Sequence, residues 1–460
     1  MNKKYLFAQL FILTVPFLYS QNNTDSITIQ KIYDYFLSES KCYENLRHLC
    51  KKIGNRLSGS ENAQKAVEWA YQTMKQAGAD TVYLHPVKVP VWKRGKAYCR
   101  LMVNQQNIPL NVMALGNSVG SDDIIQSEII EVKSEDDLEK LGSNQIKNKI
   151  VFFNVSFNPK NVSTSQSYGE TVKYRYSAAS YAAKYGAKAC LVRSMTLCNN
   201  HSPHTGNMQY DEKISKDKIP ALAIAYKDAD TLSYLLKKFN NIKAELFTEN
   251  FMQDSVMSFN VIAEIKGTQY PNRYITIGGH LDSWDVGEGA HDDGAGIVQS
   301  IEAIYVFKDI YRPKNTIRIV AFMNEENGLM GGKTYAAEAF KNKETHLTAI
   351  ESDAGGFTPR YIGVDTTNGM FDLCRQWNSL FEPYYLQIKK GGGGADISPL
   401  KKYYRIPLCG YEPDNQRYFD LHHTQDDVFE NVHKRELELG GAAISAFVMM
   451  VDRYFDKQSE

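Results

Sequence analysis

The chain has 460 residues, and its 53 Lys and Arg residues balance 53 Asp and Glu residues. This length exceeds what one hydrophobic core usually supports, so we expect two domains. The zero net charge argues against a nucleic-acid partner, which would need a basic excess on one face, and places any charge-dependent function at a local site.

The first twenty residues have the pattern of a secretory signal peptide. Two lysines precede a short, nearly uncharged apolar run over residues 6–18, and Leu18 and Ser20 form a cleavage site before Gln21. The run is short for a membrane-spanning helix, and no basic stop-transfer segment follows it. The pattern therefore predicts a signal peptide over residues 1–20, an exported protein and no integral membrane segment.

The seven cysteines leave the disulfide question open. Cys42 with Cys50 and Cys190 with Cys198 are the local candidates for pairing in an exported protein. The number of cysteines is odd and their spacings fit no compact disulfide framework, so buried free thiols are an equally good interpretation. None of the cysteines has the short paired spacing of a zinc site.

Helical spacing of apolar residues comes first in the mature chain. It predicts helices within residues 27–53, and then a helix that Ser58 or Ser60 caps and that ends at Gly78. Residues 81–92 alternate between apolar and polar side chains, which predicts a strand. Two prolines within this strand indicate that it lies at the edge of a sheet.

Short strands dominate the next part of the chain, residues 96–255. The alanine-rich residues 177–185 and residues 228–238 interrupt them as helices, and the polar stretches 158–171 and 199–217 are typical of loops. His201 and His204 fall in the second polar stretch and are expected at the surface. We therefore predict that residues 96–255 form an inserted β-rich domain.

An α/β pattern resumes near residue 260 and continues to the end. The predicted strands are 260–265, 274–277, 317–322, 347–351 and 406–408, and the predicted helices are 295–311, 332–340, 371–381 and 435–454. Strands that alternate with helices imply an α/β fold with a mostly parallel, twisted sheet flanked by helices. Residues 21–95 and 256–460 would form the two parts of this larger domain.

Side chains that can bind a metal follow several of these strands. In chain order they are His280, Asp282, Asp292, Asp293, Glu325, Glu326, Asp353, His422 and His423. Each alone also fits a helix cap, a polar turn or a core histidine. Together, at the carboxyl ends of strands, they favour a ligand site. Imidazoles and carboxylates suit zinc-type ions, and adjacent carboxylates need a cation to offset their repulsion. Such a set can supply two metal sites that share a carboxylate.

The motifs that hold these residues resemble those of a known family, the co-catalytic two-zinc aminopeptidases with the related plasma glutamate carboxypeptidases. The matching stretches are N-R-L-S-G-S from Asn55, H-L-D-S-W from His280, G-A-H-D-D-G-A-G from Gly289, N-E-E-N-G-L-M-G from Asn324, E-S-D-A-G from Glu351 and H-H-T-Q-D-D from His422. The resemblance implies a zinc exopeptidase fold. The insertion resembles a protease-associated domain.

The resemblance also implies two Zn²⁺ ions per chain and a role for each ligand. His280 and Asp353 would hold one ion, Glu326 and His423 would hold the other, and Asp292 would bridge the two. In the family the last histidine ligand stands directly before the threonine of this motif, which is the position of His423. The neighbouring histidine is the alternative.

Four further residues have expected roles or effects. The resemblance implies that Glu325 is the general base, that Asp282 orients His280, and that Asp293 follows the bridging ligand through an unusual peptide bond. His291 stands where the family often has an acidic or small residue, and it could perturb the site. Asp396 lies next to a run of four glycines, which we expect to be a flexible platform.

The implied function is an exported enzyme that hydrolyses a terminal peptide bond of a peptide or dipeptide. It could act as an aminopeptidase, or as a carboxypeptidase or dipeptidase. An Arg or Lys in the pocket would bind a free carboxylate, and Arg405 and Arg417 are the candidates. The rival hypotheses are a non-catalytic exported binding module on the same fold and a one-zinc aminoacyl cyclase. A homodimer is implied by the resemblance alone.

Overall fold

The computed structural model of the protein describes residues 23–456. The predicted signal peptide, residues 1–20, lies outside this range. Among the described residues, no helix combines the length and the apolar character that crossing a membrane requires.

The described residues form sixteen strands: β1 Thr81–Lys93, β2 Ala97–Val103, β3 Gln106–Leu110, β4 Val112–Ala114, β5 Ile125–Val132, β6 Ile150–Phe153, β7 Ala189–Arg193, β8 Ala221–Ile224, β9 Lys243–Thr248, β10 Phe251–Ile265, β11 Tyr270–His280, β12 Asn315–Phe322, β13 Thr345–Ser352, β14 Pro359–Val364, β15 Gln387–Lys390 and β16 Leu408–Pro413. They also form twelve α-helices: α1 residues 23–38, α2 Cys42–His48, α3 Glu61–Gln76, α4 Glu135–Ile146, α5 Thr164–Lys184, α6 Tyr226–Lys238, α7 Ala295–Tyr305, α8 Met330–Lys341, α9 Met370–Cys374, α10 Asn378–Phe381, α11 Tyr418–Leu421 and α12 Lys434–Tyr454.

The first sheet has eight strands in the order β1-β10-β12-β11-β13-β16-β14-β15. Its four central strands, β12, β11, β13 and β16, are parallel to one another. The pairs β1-β10, β10-β12 and β14-β16 are antiparallel. The predicted α/β fold is confirmed, with a parallel centre and a mixed periphery. The proline-containing strand β1 lies at the edge, as its sequence predicts.

Helices cover both faces of this sheet because its strands are apolar on both sides. On β12, Ile317, Ile319 and Ala321 pack into the core that contains α3, α7 and α12. Val320 and Phe322 point to the opposite face and pack into a second core with α8. Side chains alternate across a strand, so an unbroken apolar run must be buried on both faces.

The second sheet also has eight strands, in the order β3-β2-β9-β5-β6-β7-β8-β4. Strands β5 to β8 are parallel, and three helices, α4, α5 and α6, belong to this part of the chain. It is therefore more helical than the predicted β-rich domain. The chain passes between the sheets at residues 94–96 and returns at residues 249–250, so residues 251–255 begin a strand of the first sheet.

The largest error in the predicted elements is the polar stretch 158–171, which was expected to be a loop. Helix α5 begins at Thr164 and buries Ser167 and Thr171 on the same face as Tyr174. The hydroxyl of Thr171 donates a hydrogen bond of 2.9 Å to the carbonyl oxygen of Ser167. Small hydroxyl side chains can be buried when they form hydrogen bonds with the helix backbone. Because these residues are polar, the buried face of the helix does not show the usual spacing of apolar residues.

Several boundaries also differ from the predictions. The predicted helix 371–381 is divided into α9 and α10 by a 3₁₀ turn at Arg375–Trp377. The predicted helix 295–311 changes into a π-helix at Val306–Ile310. The predicted strand 406–408 overlaps strand β16 only at Leu408. Strand β16 continues through a Gly and a Pro, and these two residues weaken the sequence signal for a strand. All seven cysteines are free, so neither candidate disulfide forms.

A buried ion-pair network on strand β12 gives a first testable prediction. The guanidinium of Arg318 donates to Glu264 at 2.8 Å and to Glu344 at 2.6 Å. Burial acts to raise the pKa of Glu344, but its bonds with His346 and Arg318 outweigh burial and lower this pKa to about 2. The Glu344 carboxylate then binds a proton less tightly in the folded state than in the unfolded state. The stabilisation that this ion-pair network provides is therefore complete above about pH 5 and is lost towards pH 2.

We expect Glu344→Gln to reduce the free energy of unfolding by about 2–3 kcal/mol at pH 7, because one buried cation loses an anion. At pH 3.5 the difference from the wild type should fall to roughly half. Urea unfolding of both proteins in the presence of a chelator, at both pH values, measures this directly. An unchanged difference at the two pH values would contradict the assignment.

Candidate metal centre

The predicted ligands lie at the carboxyl edge of the first sheet. His280 is the last residue of β11, Asp353 directly follows β13, and Glu325 and Glu326 come shortly after β12. These three strands are parallel neighbours in the sheet, with β11 in the middle. Parallel strands end at the same edge, so their following loops deliver these side chains to one place.

Asp292, in the segment between β11 and α7, meets His280 and Asp353 in a first group. The Nε2 atom of His280 lies 3.0 Å from Oδ1 of Asp292 and 3.4 Å from Oδ1 of Asp353. One ligand atom from each residue lies within 4.8 Å of the others. This spacing allows the three side chains to hold a single ion.

The other carboxylate oxygen of Asp292 belongs to a second group. Its Oδ2 atom lies 3.1 Å from Nε2 of His423 and 3.6 Å from Nε2 of His422. His423 also approaches Oε2 of Glu326 at 3.2 Å, a contact that is not seen for its neighbour. Asp292 therefore offers one oxygen to each group, and the distances favour His423 over His422 as the partner of Glu326.

Two backbone carbonyls set the protonation of the imidazoles. Nδ1 of His280 lies 3.0 Å from the carbonyl oxygen of Asp282, and Nδ1 of His423 lies 3.2 Å from that of Thr205. A carbonyl can only accept, so each Nδ1 carries the proton. In the neutral ring, Nε2 then presents its lone pair to the carboxylates, which is the form that binds a metal.

The carboxylate of Asp282 has a different role from the one expected. It was expected to orient His280, but that contact comes from the backbone carbonyl of Asp282. Its Oδ1 atom instead accepts the backbone N–H groups of Asn324 at 2.6 Å and Glu325 at 3.1 Å. Asp282 thereby fixes the segment that carries Glu325 and Glu326.

Asp293 joins the strand end to the next helix. Its Oδ2 atom accepts the N–H of His280 at 3.0 Å, and its Oδ1 atom accepts that of Gly296 at 3.0 Å. The peptide bond between Asp292 and Asp293 is cis. A side chain at position 279 would place its Cβ 2.2 Å from Oδ2 of Asp293, so only Gly279 permits this approach.

Asp427 supports Asp292 from the other side, a contact that we did not predict. Its carboxylate accepts the N–H groups of His291 at 2.8 Å and Asp292 at 3.2 Å. Burial raises the pKa of Asp427 to about 7. The residue belongs to the H-H-T-Q-D-D motif, which was the available signal, but a carboxylate that binds backbone N–H groups leaves no spacing pattern.

His291 does not perturb the candidate metal centre with its side chain. Its Nδ1 atom accepts the N–H of Gly356 at 3.1 Å, and its Nε2 atom donates to the carbonyl of Asn431 at 3.2 Å. The ring stacks on Phe357. Burial lowers the pKa of His291 to about 4, so the ring is neutral. Its two hydrogen bonds stabilise the loop.

Glu325 stands apart from both groups. It is half-buried and lines the cavity over the candidate metal centre. Its backbone N–H donates to Asp282, whereas its carboxylate forms no hydrogen bond with another residue in the range 23–456. Burial raises the pKa of Glu325 to about 8, and the negative charges of Asp353 and Asp292 add to this effect. A carboxylate with these properties can exchange a proton near neutral pH.

Helix α5 and a loop of the inserted region contribute to the cavity, which has a volume of about 430 Å³. Tyr168, Arg175 and Asn207 line it together with the residues of the first sheet. His204 was expected at the surface but is buried, and its Nδ1 atom donates to the carbonyl of His422 at 2.8 Å. His201 is exposed, as predicted.

Three other predicted positions lie elsewhere. Arg405 and Arg417 are exposed and outside the cavity. Asp396 is fully buried and does not stand on a flexible surface platform. Burial, with the charge of nearby Glu351, raises the pKa of Asp396 well above its ordinary value. These three residues therefore do not line the cavity.

The two groups fit divalent metal ions. Oδ2 of Asp292 and Oδ1 of Asp353 are buried and form no hydrogen bond among the described residues, and the Nε2 atoms of His423 and His280 lie 3.1 and 3.4 Å from them. Buried carboxylate oxygens without partners are costly, and a cation would satisfy both. Burial acts to lower the pKa of His280, but the surrounding carboxylates raise it well above its ordinary value, which shows how strongly the candidate metal centre attracts positive charge. Imidazole and carboxylate donors without thiolates match zinc sites of the catalytic type.

Known proteins are similar to this chain in both sequence and fold. Residues 260–448 match peptidase family M28. The chain is 33% identical to carboxypeptidase Q of Bos taurus over 420 residues, which is 91% of this chain and 86% of that protein. It is 36% identical to carboxypeptidase Q of Xenopus laevis over 397 residues, 85% of this chain and 81% of that protein.

Two solved structures extend the comparison. A peptidase M28 precursor from Shewanella amazonensis superimposes with a TM-score of 0.89 at 31% identity, over 95% of this chain and 99% of that chain. A zinc aminopeptidase from Bacillus subtilis shares the fold with a TM-score of 0.64 at 19% identity, over 92% of this chain and 97% of that chain. The extent of these matches shows that the chain belongs to peptidase family M28 and is a metallopeptidase.

Proposed function

We propose that the protein is an exported di-zinc exopeptidase that hydrolyses a terminal peptide bond of peptides or dipeptides. The observation that carries this proposal is the position of Asp292, which has one carboxylate oxygen in each of two ligand groups. Glu325 lies beside them without a partner of its own. A carboxylate shared between two ligand groups suits a two-metal site, and an adjacent free carboxylate suits a general base.

In this proposal His280, Asp353 and Asp292 would hold one zinc ion. Asp292 would also hold the second, together with Glu326 and His423. When bound, the pair of ions would polarise the scissile carbonyl and lower the pKa of the attacking water towards about 7. The carboxylates of Asp282, Asp293 and Asp427 accept hydrogen bonds from backbone N–H groups. These hydrogen bonds would keep the ligands in position, because each fixes the backbone beside a ligand.

Glu325 would be the general base. Its raised pKa allows it to take a proton from water and to give that proton to the leaving amine. Its place in the cavity wall supports this role, since the base must reach both water and substrate. The supporting contact between Asp282 and the N–H of Glu325 would hold it there.

The domain roles follow from the same proposal. Residues 21–95 and 256–460 would form the peptidase domain, and residues 96–255 would form a protease-associated-like domain that closes the cavity. The contacts from His204 and Thr205 to the H-H-T-Q-D-D motif support this arrangement. The name of the carboxypeptidase Q relatives supports action at the carboxyl terminus. A signal peptide over residues 1–20 and a homodimer complete the proposal.

The proposed activity can be tested with unblocked alanyl-leucine and its N-acetylated form, each assayed with and without a chelator. We expect the unblocked dipeptide to be cleaved to free amino acids, and we expect chelation to abolish cleavage and added zinc to restore it. Metal analysis establishes whether the chelator removed the ions. Full cleavage by a protein shown to be free of metal would refute the proposal, as would no cleavage by the zinc-loaded protein.

A further inference from the structure

Glu412 is a carboxylate in the wall of the cavity that the proposed metal centre does not use. Of the carboxylates in the described chain that line this cavity, four are the proposed ligands and the proposed base, and Glu412 is the fifth. It is half-buried and belongs to neither ligand group. Its carboxylate is therefore available to a molecule that enters the cavity.

The position of Glu412 follows from the register of the first sheet. Strand β16 is the parallel neighbour of β13, and Tyr411 lies opposite Ser352. The next residues along these two strands are Glu412 and Asp353. Side chains alternate across each strand, so these two carboxylates leave the same edge of the sheet on the same face. Glu412 thus extends the row of acidic side chains by one strand, on the side of Asp353.

No cation among residues 23–456 neutralises Glu412. Its carboxylate forms no ion pair or hydrogen bond within this range, and burial and the negative charge of Asp353 both raise its pKa. Arg360, on the adjacent strand β14, pairs with Asp414 instead, and its Nε atom lies 3.1 Å from that carboxylate. A partly buried carboxylate without a cation is costly, so a positive group on a substrate would stabilise it.

The surrounding cavity wall also suits an ammonium group on a flexible stem. Asn415 lines the cavity three positions after this carboxylate, and its Nδ2 atom donates to the hydroxyls of Ser163 at 3.0 Å and Ser165 at 2.9 Å. Its Oδ1 atom remains as an acceptor, and an ammonium group has three donors. Tyr418 and Phe419 line the same cavity and offer apolar surface to the methylene groups of such a stem.

The reach of a side chain fits this position better than that of an α-amine. In the residue that precedes the scissile bond, the α-nitrogen is only about 2.5 Å from the reacting carbonyl carbon. The ammonium nitrogen of an extended lysine is about 6 Å from its Cα atom. Glu412 stands one strand beyond Asp353, and neighbouring strands are about 4.8 Å apart. The longer reach matches this offset.

We propose that Glu412 is a specificity-determining residue that binds the basic side chain of the substrate residue preceding the scissile bond. This inference rests on the proposed exopeptidase function and adds a substrate class to it: peptides or dipeptides with Lys or Arg at that position. Asn415 would supply a second acceptor to the same group.

The test compares lysyl-leucine with norleucyl-leucine, which keeps an unbranched apolar stem of similar length and both free termini but lacks the side-chain ammonium. We expect Glu412→Gln to lower kcat/KM for lysyl-leucine about 30-fold, and to change kcat/KM for norleucyl-leucine less than about threefold. Equal loss for both would mean that Glu412 serves the shared α-amine or the structure, and it would overturn the inference. Unchanged values for both would overturn it as well.

Reversal of the charge gives a stronger form of the test. Glu412→Lys should favour glutamyl-leucine over lysyl-leucine, the opposite of the wild type, because a cation in the wall repels a basic side chain and attracts an acidic one. Glu412→Asp keeps the charge on a shorter stem and should retain part of the preference. If Glu412→Gln does not fold, this variant replaces it. The matched control is Glu430→Gln, which removes an exposed carboxylate outside the cavity.

Binding provides a measurement that does not depend on turnover. In the zinc-loaded Glu325→Gln protein, calorimetry should show that adding Glu412→Gln weakens lysyl-leucine about 30-fold and leaves norleucyl-leucine nearly unchanged. Equal affinities for lysyl-leucine with and without Glu412→Gln would contradict the assignment.

Failure of this inference is distinguishable from failure of the proposed function. If the zinc-loaded wild type cleaves none of these dipeptides, the proposed function fails and the inference fails with it. If the wild type cleaves both lysyl-leucine and norleucyl-leucine, but their ratio is the same in the Glu412 variants, only the inference is overturned.

Discussion

Glu325→Gln is expected to keep its zinc and to lose turnover by at least about 1000-fold. The amide of Gln has nearly the size of the carboxylate, so the cavity and both ligand groups should remain intact. It cannot take up a proton at neutral pH, however, and the transfer from water to the leaving amine would lose its carrier. The raised pKa of Glu325 and its lack of a protein partner are the reasons to expect so large an effect.

The measurement is kcat for alanyl-leucine together with metal content per chain, for the variant and the wild type at equal zinc saturation. Glu430→Gln is a matched control, because Glu430 is exposed and pairs with Lys51 on the surface. If Glu325→Gln kept more than about a tenth of wild-type turnover, the general base would have to be another group.

His423→Ala is expected to lose one of two zinc ions and to reduce turnover by at least about 1000-fold. The reason is geometric: its Nε2 atom is close to both Asp292 and Glu326, so its removal would leave the proposed second ion with carboxylates alone. His422→Ala is the matched variant one residue away. It should keep both ions, since His422 approaches Asp292 only at 3.6 Å and makes no contact with Glu326.

Zinc per chain after dialysis, measured by mass spectrometry, distinguishes the two histidines. Circular dichroism of both variants checks that the fold is retained. Loss of zinc from the His422 variant, with both ions retained in the His423 variant, would reverse the assignment of the ligand. Equal loss from both would mean that the two histidines share the second ion.

Most of the first sheet was predictable, because its signals are local. A short apolar run such as residues 317–322 must be buried on both faces, and a helix must follow before the next parallel strand. The polar residues that interrupt such runs stand at strand ends. His280, Glu326 and Asp353 could therefore be assigned to one edge of the sheet without coordinates.

The contribution of the inserted region could not be predicted in the same way. Helix α5 carries Arg175 into the cavity, but its polar first turns conceal its helical spacing. The carbonyl of Thr205 reaches His423 across 218 positions of sequence. Backbone carbonyls have no sequence signature, so a contact of this kind is visible only when the chain is folded.

The local sequence pattern thus predicted the α/β class and the candidate residues that follow the strands. It could do so because the periodicity of a strand and the alternation of strands with helices are properties of short segments. The fold alone decided that Asp282 uses its carboxylate on the neighbouring backbone, that Asp427 supports Asp292 from the other side, and that an arginine of the inserted region lines the cavity. These relations depend on distances between segments far apart in the chain, and such distances are set by packing rather than by any local pattern.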